Sequence, residues 1–90
     1  MQKPHITLLA SCTDQLGIIA ALTHTISQHH GDILHLEQHV DAEDQQLFIR
    51  IQWHTTHADQ ATWATHLDPL FQTYHMKTQL YASNFKHRIA

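Results

Sequence analysis

The side chains best suited to chemistry gather in one short stretch, SCTDQLGIIA, residues 11–20. It holds the single cysteine, Cys12, an acid, Asp14, and one of the two glycines, Gly17. As a nucleophile, Cys12 would need a histidine within hydrogen-bond reach and donors for an oxyanion. No glycine-rich oxyanion loop and no strand–elbow–helix motif accompanies it, so a buried structural thiol at a strand end is the better reading and no catalytic residue is assigned. As a cradle, the stretch has firmer physics. A strand ending at Cys12 and a helix opening near Leu16 direct unsatisfied backbone N–H groups into the gap, where a carboxylate is stabilised. Asp14 would accept from an ammonium group. The junction thus suits a zwitterion, a free amino acid, lined by Cys12, Asp14, Gln15, Leu16, Gly17 and Ile18. The plain alternative makes Asp14 an ordinary helix cap and the stretch a turn.

A second store of chemistry is the eleven histidines. Protonating all of them would take the formal net charge from −3 to +8 in the range where unperturbed imidazole titrates. Metal binding or pH sensing is one use; a solvated polar surface is the simpler one. His35, Glu37 and His39 alternate along a strand and so project from one face about 6–7 Å apart. Three ligands on one flat strand do not converge on an ion at about 2.0–2.2 Å without help from a neighbouring strand. His54 and His57 form a second, weaker pair. No metal and no cofactor is assigned, and a histidine-rich metal-binding protein stands as the remotest reading.

Ninety residues make one domain with a single core. The longest apolar run falls far short of the roughly 20 residues of a membrane helix, and "MQKPHITLLASC" lacks the apolar core and cleavage site of a secretory signal. The chain reads as cytoplasmic, with which a lone cysteine agrees. Five basic residues against eight acidic ones leave no basic stripe for a phosphate backbone, so nucleic acid is excluded as a partner along with the membrane.

The elements that must hold these side chains follow from periodicity. From His5 to Cys12, β-branched and leucine residues predict a strand buried on both faces. Over residues 16–30, Ile18, Ile19, Leu22 and Ile26 fall at helical spacing, with Thr13 or Asp14 as N-cap and Gly31 as a left-handed stop. In "DILHLEQHVD", Leu34, Leu36 and Val40 face one way and Ile33, His35, Glu37 and His39 the other. "QLFIRIQW" sets Leu47, Ile49, Ile51 and Trp53 against Phe48, Arg50 and Gln52, and the polar turn between makes the two a hairpin. A second helix over 58–74 has Trp63, Leu67, Leu70, Phe71 and Tyr74 as its stripe, with Asp68 and Pro69 expected to interrupt and restart it. A last strand covers 76–83.

The order β-α-β-β-α-β predicts an α+β, ferredoxin-like fold: a four-stranded antiparallel sheet with two helices on one face. The other face, with Ile33, Phe48 and Leu9 among polar residues, suits burial against a partner. Ile33, His35, Glu37, His39 and Phe48 are the candidate interface.

The spacing of "LLASCTDQLGIIAALTHTISQHHGDILHLEQHVD", followed by "LFIRIQW", resembles the N-terminal ACT domain of the formyltetrahydrofolate deformylase family. Cys12, Asp14, Gly17, Gly31, Ile33, Asp41, Phe48 and Arg50 stand at matching places. Thr13 and Leu16 replace the two prolines of the family's junction, Gln15 its arginine, and Asp32 the asparagine after the helix. The resemblance implies an ACT domain over residues 1–84. Residues 85–90 resemble the start of the segment leading to a formyltransferase-like catalytic domain. It implies a parent hydrolase that converts 10-formyltetrahydrofolate to formate and tetrahydrofolate in one-carbon and purine metabolism. The ninety residues themselves would be catalytically silent, serving regulation by amino-acid binding and dimerisation. It also implies a homo-oligomer, a glycine-sized or methionine-like effector, and Asp32 closing the cradle from a neighbouring subunit. The rival reading is a free-standing ACT amino-acid sensor or protein-interaction module.

Overall fold

A computed structural model describes residues 5–13, 15, 17–56 and 60–83. The elements are β1 (His5–Thr13), α1 (Ile18–Gln28), β2 (Asp32–Asp41), β3 (Gln46–His54), α2 (Gln60–Thr73) and β4 (Lys77–Ser83). The four strands form one antiparallel sheet in the order β2-β3-β1-β4. This is the ferredoxin-like arrangement that the periodicity predicts. β2 and β4 are its edges.

The core lies between the sheet and the two helices. β1 contributes Ile6, Leu8, Ala10 and Cys12, β3 contributes Leu47, Ile49, Ile51 and Trp53, and the helices close over them with Ile18, Leu22, Ile26, Trp63 and Leu67. The expectation of a β1 buried on both faces is corrected. Its residues alternate between buried and half-buried, because both helices cross to one side and leave the opposite face without a layer.

Local chemistry departs from expectation at four points. First, α1 has no side-chain cap: Gly17, at φ 85°, precedes it in the left-handed conformation, and Thr13 still belongs to β1. Asp14, the other cap expected, lies outside the described residues.

Second, the left-handed residue at the end of α1 is His30 (φ 65°), not Gly31. Gly31 N–H donates to Ile26 O at 2.8 Å and His30 N–H to Ser27 O at 3.1 Å, a Schellman pair of bonds. Gly31 serves close approach instead: a Cβ there would sit 2.5 Å from Ile26 Cγ2 and 2.8 Å from Trp53 Cδ1. α2 ends in the same way, with His75 at φ 53° and Met76 N–H donating to Phe71 O at 2.8 Å.

Third, a β-bulge in β2 shifts the register between Ile33 and His35. Ile33 pairs with Trp53, and Leu36 with Ile51. Ile33 therefore faces the helices and packs on the core, whereas strict alternation would have set it beside His35. Leu34, the extra residue, is left exposed. Fourth, α2 runs through Pro69 without a break. The stripe of Trp63, Leu67, Leu70, Phe71 and Tyr74 packs on the core on both sides of the proline. That shared burial outweighs the lost N–H bond and the ring's clash with the preceding turn, together about 3 kcal/mol in a helix interior.

Candidate functional site

The junction between β1 and α1 takes its shape from Gly17. Its left-handed backbone turns the chain from the end of the sheet into α1, and the first helical bond runs from Ala21 N–H to Gly17 O at 2.9 Å. The amides of Ile18, Ile19 and Ala20 precede that bond, which leaves them without an intrahelical acceptor. Gln15 is exposed, its amide donating to Thr13 O at 3.3 Å. Cys12 and Ile18 are core residues, 4% and 1% exposed. Their side chains belong to the packing beneath the junction rather than to a ligand's surroundings. Asp14 and Leu16, both named as lining residues from the sequence, lie outside the described residues.

Asp32 begins β2, paired across from His54, while Thr13 pairs with Gln46 at the other end of β3. The eleven residues of α1 span roughly 16 Å between these ends. Asp32 and the junction of one chain are therefore not one site.

The open face of the sheet is the larger surface. Alternation places His35, Glu37 and His39 of β2 beside Gln52, Arg50 and Phe48 of β3. β1 adds Thr7, Leu9 and Ser11, and β4 adds Tyr81, Gln79 and Lys77. Arg50 donates to Glu37 Oε1 at 3.3 Å, both largely exposed, and the rings of His39 and Phe48 lie 6.3 Å apart. Phe48 is 46% exposed and Tyr81 50%. The middle of this face forms a concavity of about 740 Å³ that includes Leu9, Ser11, Glu37, Phe48, Arg50 and Lys77. Four of the five expected interface residues thus share one surface, and Ile33 is on the opposite side. Sequence reasoning missed Ser11, Lys77 and Tyr81 here. Their signal was the strand period in β1 and β4, once the core residues of those strands are known.

Among the described residues, no group of three or more His, Cys, Asp or Glu side chains is arranged to hold a metal ion, and no helix is long and apolar enough to cross a membrane. His35, Glu37 and His39 stay spread along one strand.

No family model matches the chain. It is 42% identical over 53 residues to a formyltetrahydrofolate deformylase of Synechocystis sp., a match covering 59% of this chain and 19% of that protein. A crystal structure of a formyltetrahydrofolate deformylase from Pseudomonas syringae pv. tomato superposes with a TM-score of 0.84 at 20% identity, over 91% of this chain and 28% of that one. An ACT domain protein from Streptococcus pneumoniae superposes with a TM-score of 0.78 at 14% identity, over 99% of this chain and 100% of that one. The chain spans about a fifth of the curated relative's length. Taken together, the chain has the ferredoxin-like fold of an ACT domain protein and, over 53 residues, is similar in sequence to formyltetrahydrofolate deformylase.

Proposed function

We propose that this domain is the regulatory and assembly module of a formyltetrahydrofolate deformylase, a cytoplasmic hydrolase yielding formate and tetrahydrofolate in one-carbon and purine metabolism. The observation that carries the reading is the 42% identity to such an enzyme, on a domain of ACT fold. The module acts by binding, as a homo-oligomer with a small amino acid as its effector. The effector's carboxylate lies on the backbone amides between Gln15 and Ile18 and its ammonium group faces Asp14. Asp32 of a second copy closes the site. The early amides of α1 that precede its first helical bond support the carboxylate position, and the separation of Asp32 from Gly17 within one chain supports a site shared between copies.

Calorimetric titration with glycine, serine and methionine tests this. Asp32→Asn removes a negative charge and restores an amide donor, so it tightens binding by about 1 kcal/mol. Tighter binding by the native chain would mean that Asp32 receives the ammonium group, with the ligand reversed. If neither form binds, amino-acid regulation is wrong and assembly alone remains. A second reading, a free-standing ACT sensor or protein-interaction module, rests on the fold shared with the Streptococcus pneumoniae ACT domain protein. The two part on one measurement: whether the full-length gene product hydrolyses 10-formyltetrahydrofolate at a rate that the bound amino acid alters.

A further inference from the structure

One cluster of titratable side chains belongs to neither surface described above. His29 caps the C-terminal end of α1, and His66 sits within α2, three residues beyond Trp63. Their imidazoles stack, with centroids 3.7 Å apart and planes 12° from parallel. Trp63 meets both rings edge-on, at 5.6 Å from His66 and 6.2 Å from His29. Trp63 in turn packs 5.1 Å from Trp53, which is fully buried. The two histidines thus join the end of α1 to the middle of α2, and Trp63 links them to the core.

Two neutral imidazoles stack without charge repulsion, and so does a pair in which only one ring carries a proton. Two imidazolium rings at this spacing, one exposed and one half-buried, repel each other. We propose that the stacked pair of His29 and His66 is an acid-sensitive latch between α1 and α2, closed while either ring is neutral and released when both are protonated.

Among the described residues, none supplies a counter-charge to hold a doubly protonated pair, and neither imidazole has a carboxylate partner. Asp32, three residues beyond His29, is exposed and stands across from His54. Asp68, two residues beyond His66, accepts from the Gln72 amide at 2.6 Å. His30, the next residue along from His29, is exposed and adds only further positive charge in acid. Burial first, and the charge on His29 second, lower the pKa of His66 below the ordinary 6.5. The sign follows from linkage. The unfolded chain takes up the His66 proton as pH falls through 6.5, and the folded chain takes it up only at lower pH. Stability is therefore complete above 6.5 and falls as pH drops from there toward the folded-state value.

Imidazole NMR on the whole chain, read beside tryptophan emission and the urea midpoint from pH 8 to pH 4.5, tests the latch. In the native chain His66 titrates below the ordinary 6.5, and the emission of Trp63 and the urea midpoint change in the same step. His29→Gln raises the His66 midpoint toward 6.5 and cuts the acid loss of urea midpoint by at least half. His66→Phe keeps an aromatic ring on Trp63, cannot take a proton, and abolishes the step. Should His66→Phe fail to fold, His29→Gln, at an exposed helix end, decides alone. Titration of His66 at or above 6.5, or an acid step unchanged in every variant that folds, overturns the proposal.

Discussion

Leu8 and Leu9 are neighbours of the same type in the central strand β1, yet they lie in different environments. Leu8 is fully buried between the sheet and the helices, while Leu9 is half-buried on the open face beside Arg50 and Gln79. The same division runs through β3, where Ile49 and Ile51 are buried and Phe48, on the opposite side of the strand, is about half exposed. On the covered face the buried residues of β1 and β3 are all apolar. On the open face, apolar groups are interleaved with an ion pair, polar side chains and histidines. One face is built to hold this chain together, and the other has the mixed composition of a surface that meets something else.

That contrast makes Leu8→Ala more damaging than any truncation on the open face. Removing a fully buried leucine from the centre of the core costs about 2–5 kcal/mol, read as a fall in the urea midpoint. A loss below about 1 kcal/mol would mean that the core collapses around the gap and that the two faces differ less than their burial suggests.

Gly31→Ala comes next, at about 1–3 kcal/mol, because the added methyl overlaps Ile26 and Trp53 at the place where α1 hands the chain to β2. Thermal unfolding of the variant measures it. A neutral result would show that β2 can shift away from Trp53, as its bulge at Leu34 would permit.

The open face is expected to respond weakly to the same methods. Leu9→Ala and Phe48→Ala cost about 1 kcal/mol or less in dilute solution, and Glu37→Gln, which breaks an exposed ion pair, less than about 1 kcal/mol with an effect that fades at high salt. Their consequence should appear instead in sedimentation at rising protein concentration, as weaker self-association. If Leu9→Ala is costly only where the native chain self-associates, a second copy is what covers this face. A strictly monomeric chain at high concentration would remove that reading.

Much of this architecture is legible without coordinates. Alternation in β3 and the helical spacing of Ile18, Leu22 and Ile26 are local patterns that survive into the fold because one side of each element is buried. The misreadings share a cause. Whether Ile33 lies with His35 or with Leu36 depends on how β2 pairs with β3, and a bulge is a property of that pairing rather than of either strand. Whether Pro69 ends a helix depends on whether burial on both sides of it exceeds the cost of one missing hydrogen bond. The turn around Gly17 was legible in the sequence, but not the distance separating it from Asp32.

The order of the elements, the composition of the core and the resemblance to an ACT domain were determined by the sequence itself, because side-chain period and residue type are written along the chain. Only the tertiary structure decided which face of the sheet stays open, why glycine is needed at position 31, and that His29 meets His66. These depend on residues far apart in sequence arriving at the same place. His29 and His66 belong to no common motif, and their contact exists only because α1 and α2 pack on the same side of one sheet.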